Sequence, residues 1–394
     1  MRIIVVGGAG AMGRVIVRDL ARSPGVDGVT VADLDAEGAS RVAALAGTGS
    51  PAEVAGVAAD ITGTSFPGTR RGHDVCVAST VYRLNPLIAE ACLAAGCGYV
   101  DLGGLFHVAL RTLELHDRFR DAGLVGVTCM GGAPGITNML AVVAARELDV
   151  VDEVHVRLGS ADPSIEGLPL PIPYSLETVL DEFSARAMAW RDGGFVEVPP
   201  LGEPEEIEFP APIGRREVVT TLHSEVATIP RAFPSAREVT FKIAFEPGLV
   251  ERFRLLSQIG LASEEPIDVG GVNVRPRDVL VALGARLPQS EGTEDVECLR
   301  VIAHGSKGGA PATVVAESVI GPNAELGTGG GGTDTGVPPS IVAQMIAAGE
   351  TTGGPGMWIP EHAVDPDLFF ERLGRRGVTY SIRRVVGAEE REGR

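Results

Sequence analysis

Short apolar runs alternate with amphipathic segments over the first 130 residues of the chain. The segment 13–23 places Val15, Ile16, Leu20 and Ala21 at helical spacing, so that one face of the predicted helix is apolar. Strands separated by helices are typical of a parallel, doubly wound α/β sheet. The predicted strands of this sheet are residues 2–7, 28–35, 56–61, 74–80, 98–104 and 124–130.

The apolar pattern changes after residue 130. A glycine-containing loop leads into an apolar helix within 131–149, and beyond it four segments alternate between apolar and polar residues. That period of two is typical of an antiparallel sheet with one covered face. The predicted strands of this second sheet are residues 152–160, 237–246, 297–306 and 312–320.

These changes divide the chain into four parts. A doubly wound domain occupies residues 1–130, and an α+β substrate-binding and dimerisation domain with a mainly antiparallel sheet occupies 131–322. A C-terminal segment at 323–386 begins with a glycine-rich loop, 323–336, and continues into a predicted helix; a charged tail follows at 387–394. At 394 residues the chain is long enough for two or three domains and a sizeable core.

Composition and charge exclude several classes of partner. The formal net charge is −18, whereas a nucleic-acid backbone or an anionic membrane requires a basic surface. The five cysteines form no C-x-x-C pair, and no apolar run approaches the ~20 residues of a membrane helix. No group of residues has the spacing of a metal site, so no metal is expected. We expect a cytoplasmic protein whose partner is a small molecule.

Three glycines follow the first predicted strand at the spacing G-x-G-x-x-G. Gly8 permits a tight turn, Gly10 lets the backbone approach a pyrophosphate, and Gly13 allows the next helix to pack against the strand. The helix N-terminus, with Ala11 and Met12, offers N–H groups to the phosphates. A tight turn without a ligand is the alternative, but the strand before it and the helix after it favour a dinucleotide.

An acidic residue at the end of the second strand bears on which dinucleotide binds. Asp33 lies 20 residues after Gly13, where a carboxylate accepts hydrogen bonds from the adenosine ribose hydroxyls. A 2′-phosphate would meet like charge at this position, so NAD is favoured over NADP. Arg41, in the helix that follows, keeps NADP possible.

Three further polar residues end predicted strands on the same side of the sheet. Asp60 ends the third strand and is a candidate contact for the adenine amino group, with a strand-end cap as the alternative. Ser79 and Thr80 end the fourth strand, which the topology places at the edge of the nicotinamide crevice. The alternative for both is that they are ordinary loop residues.

Seven segments fall in an order that resembles the saccharopine dehydrogenase family. They include "VVGGAGAMGRVIVRDLA", "GYVDLGG", "GGAPGITNML" and "GVPPSIVAQMIAAGE", and the resemblance covers about residues 1–380. It implies a Rossmann domain, an α/β substrate domain inserted after it, and a C-terminal helix that returns to the Rossmann domain. It also implies an NAD- or NADP-dependent enzyme that oxidises an amine-bearing carbon of an amino acid or reduces the corresponding imine.

Within that family the sequence looks closest to the lysine 6-dehydrogenase branch. The resemblance implies hydride transfer from the ε-carbon of lysine to NAD, followed by hydrolysis of the iminium product. The segment "GGLFHVALR" departs from that branch, which carries a longer "GHIGHIT"-like stretch. The alternatives are a saccharopine reductase or a polyamine-type imine reductase, each forming a secondary amine, and a non-catalytic NAD-binding regulator. A homodimer is expected.

Amine dehydrogenation requires a general base, and three residues are candidates. Asp101 ends the fifth strand on the ligand-binding side of the sheet, and His107 follows shortly after it. His223 lies two positions before Glu225, and in a strand these two side chains would face the same way. The alternatives are a turn cap for Asp101, a helix N-terminal residue for His107 and a solvated polar face for His223.

The glycine loop at 131–138 is the first candidate for substrate contacts. Its backbone N–H groups, including that of Gly135, are suited to a carboxylate or a cofactor oxygen because the loop leads into a helix. Asn138 is a candidate amide contact, and packing within the helix is its alternative.

The remaining substrate candidates lie later in the chain. Arg231 is the candidate for the substrate carboxylate, because amino-acid carboxylates favour an arginine fork. Tyr174 and Glu177 are candidates to line the pocket, with capping of a helix as the alternative, and Glu225 is a candidate substrate contact beside His223. The glycine-rich segment 327–336 is a candidate lid over the site, with a flexible surface loop as the alternative.

Overall fold

A seven-stranded parallel sheet forms the first half of the molecule. The structure is a computed structural model that describes residues 1–61, 63, 72–172, 175–246, 248–288 and 293–386. The strand order is β17-β6-β5-β4-β1-β2-β3, which reverses direction between β1 and β4 as a doubly wound sheet does. The strands are β1 (Arg2–Val6), β2 (Gly28–Asp33), β3 (Glu53–Ala58), β4 (Val75–Ala78), β5 (Gly98–Asp101), β6 (Val125–Val127) and β17 (Gly356–Trp358).

Five helices among the described residues connect these strands. The first follows the glycine turn directly, and its buried face carries the apolar residues that the sequence pattern predicts. The predicted helix at 107–123 is instead two short helices. The helices are α1 (Ala11–Arg22), α2 (Ala36–Gly47), α3 (Asn85–Ala95), α4 (Phe106–Leu113) and α5 (His116–Asp121).

A nine-stranded sheet forms the core of the second unit. Its main path is β10-β11-β12-β7-β15-β16-β18, with β8 joining β12 to β9. Only the pair β12 and β7 is parallel among the strand pairs described for this sheet, which confirms the prediction of a mainly antiparallel sheet. The strands are β7 (Val150–Ala161), β8 (Ala187–Arg191), β9 (Gly194–Val198), β10 (Glu205–Glu208), β11 (Arg215–Thr220), β12 (Glu238–Ile243), β15 (Val296–Lys307), β16 (Ala310–Ile320) and β18 (Ser381–Val386), and a separate hairpin consists of β13 (Ile267–Val269) and β14 (Val272–Val274).

Eight helices complete the described fold. The helix that follows the glycine-rich segment packs along α1, where Asp19 accepts hydrogen bonds from Ser340 Oγ at 2.5 Å and Arg376 Nε at 2.6 Å. The C-terminal segment therefore returns to the first unit, as the family resemblance implies. The helices are α6 (Ile136–Ala145), α7 (Leu176–Ser184), α8 (Glu225–Ala232), α9 (Leu249–Gln258), α10 (Pro276–Gly284), α11 (Gly330–Ala348), α12 (Pro360–Ala363) and α13 (Pro366–Gly374).

The prediction of a glycine-rich loop at 323–336 was wrong for residues 330–336, because these residues form the start of α11. Asp295 holds the first turn of this helix by accepting hydrogen bonds from the N–H groups of Gly330 at 2.9 Å and Gly331 at 2.7 Å. A Cβ on Gly330 would lie 2.2 Å from the carbonyl oxygen of Ile320. The glycines therefore permit close packing of a buried helix, and the prediction of a mobile lid at 327–336 fails for the same reason.

No helix among the described residues is both long and apolar enough to cross a bilayer.

Candidate active site

The glycine turn after β1 has the geometry of a phosphate cradle. A Cβ on Gly8 would lie 2.7 Å from Val31 Cγ1, and a Cβ on Gly13 would lie 2.2 Å from the carbonyl oxygen of Gly7. These two glycines are therefore required by packing. A Cβ on Gly10 would meet only the carbonyl oxygen of Gly7, at 3.2 Å, so this position faces outward. The first turn of α1 starts there without a side-chain cap, which leaves its N–H groups available to a phosphate.

Asp33 closes the turn from the end of β2. Its carboxylate accepts hydrogen bonds from the N–H groups of Ala9 and Asp35, each at 3.0 Å. Arg41 lies close by in α2, with its guanidinium 3.6 Å from the Asp35 carboxylate and its side chain 67% exposed. The carboxylate of Asp33 and the guanidinium of Arg41, the two candidates that bear on the choice of dinucleotide, therefore border the same edge of the cradle.

The other cofactor candidates lie at the carboxyl ends of the neighbouring strands. Ser79 and Thr80 follow β4 and touch the turn, because a Cβ on Gly7 would lie 2.4 Å from the Ser79 carbonyl oxygen and 3.0 Å from Thr80 Cγ2. Asp60 is exposed beyond the end of β3, and its carbonyl oxygen accepts a hydrogen bond from the Gly63 N–H at 3.0 Å.

Asp101 is fully buried at the end of β5 and is saturated with hydrogen bonds. It accepts from the Tyr99 hydroxyl at 2.8 Å, the Gly103 N–H at 2.7 Å, the Thr128 hydroxyl at 2.8 Å and the Cys129 N–H at 2.9 Å. Burial raises the pKa of this carboxyl, although the four donors oppose the shift. Asp101 thus ties the end of β5 to the end of β6, which is a positioning role.

A buried histidine–glutamate pair lies at the entry to α8. His223 Nδ1 is 2.5 Å from Glu225 Oε2, and its ring stacks on Phe241 with centroids 3.9 Å apart. Thr137, in the first turn of α6, donates to the other Glu225 oxygen at 2.9 Å. Burial by itself lowers the pKa of His223, but the carboxylates of Glu225 and Glu182 outweigh it, and the pKa is raised.

The pair forms by a geometry that differs from the predicted one. β11 ends at Thr220, so His223 lies in a loop rather than in a strand, and Glu225 is the first residue of the helix. The turn between them, rather than alternation along a strand, brings the two side chains together.

Ser224 connects the His223–Glu225 pair to the loop after β5, at the edge of the parallel sheet. Its hydroxyl donates to the carbonyl oxygen of Gly104 at 2.6 Å, in the loop after β5. Gly104 in turn packs on Tyr82, because a Cβ there would lie 2.6 Å from Tyr82 Cβ. Tyr82 follows Thr80 at the end of β4, so the histidine–glutamate pair lies along the crevice where a doubly wound sheet binds its ligands.

Asn138 connects three helices, α6, α8 and α12, near the His223–Glu225 pair. Its Oδ1 accepts from the Gly135 N–H at 2.8 Å, and its Nδ2 donates to Thr228 Oγ1 at 2.7 Å and to Glu361 Oε1 at 2.6 Å. Gly135 has a φ of 129° and its Cβ would lie 2.0 Å from the carbonyl oxygen of Gly131, so only glycine fits there. Burial raises the pKa of Glu361 to about 7. The sequence around Glu361 carries no signal that distinguishes it.

Two arginines that sequence reasoning missed meet across the crevice. Arg83 and Arg277 both contact the carboxylate of Asp181, at 2.7 Å and 2.5 Å, and Tyr82 also donates to that carboxylate. Glu264 lies between the guanidinium groups, 3.2 Å from Arg83 and 2.6 Å from Arg277. This network joins the end of β4 to α7 and α10. Both Nη atoms of Arg277 are already paired within it and the Arg277 side chain is 8% exposed, whereas the Arg83 side chain is 44% exposed.

Two models of one protein family match almost the whole chain. Residues 3–127 match the saccharopine dehydrogenase NADP binding domain, and residues 131–378 match the saccharopine dehydrogenase C-terminal domain. The chain belongs to the saccharopine dehydrogenase family. The predicted family, the doubly wound fold and the enzyme class are therefore confirmed, and the protein is an NAD- or NADP-binding dehydrogenase or reductase.

Individual relatives of this saccharopine dehydrogenase family member are distant in sequence. Carboxyaminopropylagmatine dehydrogenase of Synechocystis is 22% identical over 96% of this chain and 97% of its own length. Carboxynorspermidine synthase of Vibrio cholerae is 25% identical over 76% of this chain and 75% of its own length. The structure of apo saccharopine dehydrogenase (L-Glu forming) from Saccharomyces cerevisiae has the same fold, with a TM-score of 0.75 over 98% of this chain and 100% of the other, at 18% identity.

Two predicted site residues do not join the histidine–glutamate pair in this family member. Arg231 is exposed, and its Nε donates to the Ala227 carbonyl of its own helix at 3.1 Å. It lies six residues beyond Glu225 along α8, roughly 9 Å of axial rise at 1.5 Å per residue. His107 is exposed in the first turn of α4, against the ring of Phe106. Tyr174 lies outside the described residues.

Three side chains from β7 and β15 come together in a group that the spacing of residues in the sequence did not reveal. Glu153, His155 and His304 bring one ligand atom each to within 4.8 Å of one another. Antiparallel pairing of β7 with β15 sets His304 opposite Glu153. Because the partners are far apart in the chain, their spacing in sequence gives no sign of the cluster.

Proposed function

We propose that this protein is an NAD- or NADP-dependent imine reductase whose product is a secondary amine that carries an amino-acid carboxylate. The observation that carries the proposal is the buried His223–Glu225 pair beside the carboxyl ends of β4 and β5. The names of the relatives support the substrate class, because one refers to carboxynorspermidine and the other to an agmatine derivative with a carboxyl group. These names favour the polyamine alternative over oxidation of lysine.

The glycine cradle, Asp33 and the loop at Ser79 and Thr80 fit a dinucleotide, because Gly10 faces outward without a side chain and leaves room for its close approach. The cofactor supplies or accepts the hydride. We propose NAD as the preferred form, since Asp33 presents a carboxylate to the adenosine ribose.

His223 is the proposed proton carrier at the substrate nitrogen. The carboxylate of Glu225 favours the imidazolium, which is suited to donate a hydrogen bond and then a proton to an imine nitrogen. In the direction of oxidation, the neutral ring accepts the proton of the amine. Glu225 holds the ring in orientation throughout, and Thr137 holds Glu225.

The charges around the crevice suit a substrate with both signs of charge. Glu182 and Glu361 are buried acids near the His223–Glu225 pair, and they are candidates to hold ammonium groups of a polyamine chain. Arg83, whose side chain is 44% exposed, is the proposed partner of the carboxylate, in place of Arg231.

A substrate panel tests the proposal. We expect reduction of NAD⁺ or NADP⁺ with carboxynorspermidine or carboxyaminopropylagmatine at a kcat/KM at least about 10-fold above that with L-lysine or saccharopine. His223→Gln should lower kcat about 100-fold, and the matched change of an exposed histidine, His107→Gln, should lower it far less. Turnover of L-lysine alone would support the lysine 6-dehydrogenase alternative, and turnover of none of these amines would contradict the proposal.

We also propose a homodimer in the cytoplasm. Val319 on β16 is 41% exposed and is a candidate contact for a second copy. Light scattering should give twice the chain mass, and Val319→Glu should shift it toward the monomer; an unchanged mass in the variant would place the interface elsewhere.

A further inference from the structure

A cluster of two histidines and a glutamate spans β7 and β15. His155 Nε2 lies 3.3 Å from Glu153 Oε2, and the imidazole rings of His155 and His304 are 5.5 Å apart between centroids. One ligand atom from each residue falls within 4.8 Å of the other two, and all three side chains are half-buried. We propose that these three residues form a binding site for a divalent transition metal, with Zn²⁺ as the expected ion.

Hydrogen bonds behind the cluster orient both imidazoles. His155 Nδ1 lies 2.8 Å from Thr240 Oγ1, and His304 Nδ1 lies 2.9 Å from Thr313 Oγ1. Histidines that bind metals are held in this way, because a bond at one ring nitrogen fixes the tautomer that presents the other nitrogen to the ion. Arg157 Nη1 donates to Thr240 Oγ1 at 3.0 Å and so fixes the threonine in turn.

The donor set and the distances select the type of ion. Two imidazole nitrogens and one carboxylate oxygen suit Zn²⁺, whereas Mg²⁺ and Ca²⁺ prefer oxygen ligands alone. Zn–ligand bonds of about 2.0–2.1 Å in a tetrahedron place ligand atoms roughly 3.3 Å apart. The separation of 3.3 Å between Glu153 and His155 meets this condition, and a small side-chain rotation of His304 completes it. A water molecule is then the fourth ligand.

The backbone supports the placement of His304. The register between β7 and β15 shifts between His304 and Gly305, at a β-bulge. Bulges re-aim a side chain and bend the strand, and they recur beside functional sites.

The site is separate from the candidate active site. Phe241 on β12 stacks under His223, and successive side chains of a strand point to opposite faces of a sheet. Thr240, which precedes Phe241, therefore faces the other side together with His155. A metal at this position would join β7 to β15 and stabilise the sheet, and the inference does not rest on the proposed reaction.

The test is Zn²⁺ binding to the full, untagged chain after treatment with a chelator, measured by competition with a metal indicator and by thermal unfolding. We expect one Zn²⁺ per chain and a Tm that rises with Zn²⁺. His304→Gln and Glu153→Gln should each weaken binding at least about 10-fold, and Thr313→Val should weaken it by about 10-fold through the loss of the orienting hydrogen bond. His73→Gln, which removes a histidine outside the cluster, should leave the affinity unchanged.

Three results would overturn the proposal. The first is binding by the wild type no tighter than by His304→Gln. The second is an equal loss of affinity in His73→Gln. The third is binding that persists in Thr313→Val and Glu153→Gln when both keep the metal-free Tm of the wild type. Since Thr313→Val keeps a β-branched residue in the strand, its effect reports on the site and not on loss of the fold.

Discussion

The Nδ1 atom of His223 lies 2.5 Å from Oε2 of Glu225, and Glu225 is fully buried. A buried carboxylate beside an imidazole stabilises the imidazolium more than water does, because the surroundings screen the attraction weakly. The stacked ring of Phe241 and the hydroxyl of Thr137 leave little freedom to either partner. The pair is therefore prepared to carry a proton without rearrangement.

Replacing Glu225 by Gln should lower the pKa of His223. The wild-type pKa is raised because the carboxylates outweigh burial, and without the Glu225 charge burial prevails. Imine reduction requires the protonated ring of His223, so kcat should fall as pH rises. In the variant this fall should begin at lower pH, and kcat near neutral pH should be about 10- to 100-fold lower than in wild type. The measurement is kcat against pH. Glu217→Gln, an exposed change on β11, is the control, and a profile identical to wild type would remove Glu225 from this role.

Two glycines of the cradle should respond differently to alanine. Gly13→Ala places a Cβ 2.2 Å from the Gly7 carbonyl oxygen, so α1 must shift and the Tm should fall by several degrees. Gly10→Ala meets only one atom, at 3.2 Å, so the Tm should change little while the Kd for the dinucleotide rises about 10-fold or more. The measurements are thermal unfolding without cofactor and cofactor titration. Equal affinity in Gly10→Ala and wild type would mean that the phosphates bind elsewhere.

Local pattern was sufficient to predict the first half of the fold. The strand, the glycine turn and Asp33 lie within the first 33 residues, and their spacing follows from contacts within one βαβ unit. The glycine-rich segment before α11 shows the limit of such reasoning. Glycine has a low helix propensity, but close packing of Gly330 on the Ile320 carbonyl oxygen and capping by Asp295 decide the outcome.

The residues that the sequence did not reveal are those joined by long-range contacts. Asn138 and Glu361 are 223 positions apart, and Tyr82 and Asp181 are 99 apart. Neither pair produces a periodic pattern or a characteristic spacing in the sequence. The prediction of Arg231 as the partner of the substrate carboxylate failed for the same reason. The residues next to Arg231 in the sequence do not indicate that its side chain points to solvent.

Asp33 and Arg41 should act in opposite directions on cofactor choice. Asp33→Asn keeps an acceptor for the Ala9 N–H but removes the charge, so the ratio of kcat/KM for NADP to that for NAD should rise by about 10-fold. Arg41→Ala should raise the KM for NADP and leave that for NAD unchanged. Steady-state kinetics with both cofactors measure the two effects. Asp35→Asn, which keeps the cap on α2, is the matched control, and an equal change in this variant would remove Asp33 from the discrimination.

Two neighbouring acids, one buried and one half-buried, predict how stability depends on pH. Burial raises the pKa of Glu297 on β15 to about 7, and burial together with the Glu297 charge raises the pKa of Asp334 in α11, which is 1% exposed. A group whose pKa is raised by folding stabilises the protein while it is protonated. Its contribution is complete below the unfolded pKa near 4.5 and is lost as pH rises through about 7.

The free energy of unfolding should therefore fall between these two pH values, by on the order of 2 kcal/mol. Glu297→Gln keeps the shape and removes the charge, so it should flatten this decline and make the variant more stable than wild type above neutral pH. Urea unfolding at a series of pH values measures the effect, with the exposed Glu325→Gln as control. If the free energy of unfolding depended on pH equally in wild type and in Glu297→Gln, the two carboxyls would titrate normally. The packed N-terminal end of α11 would then tolerate their charges.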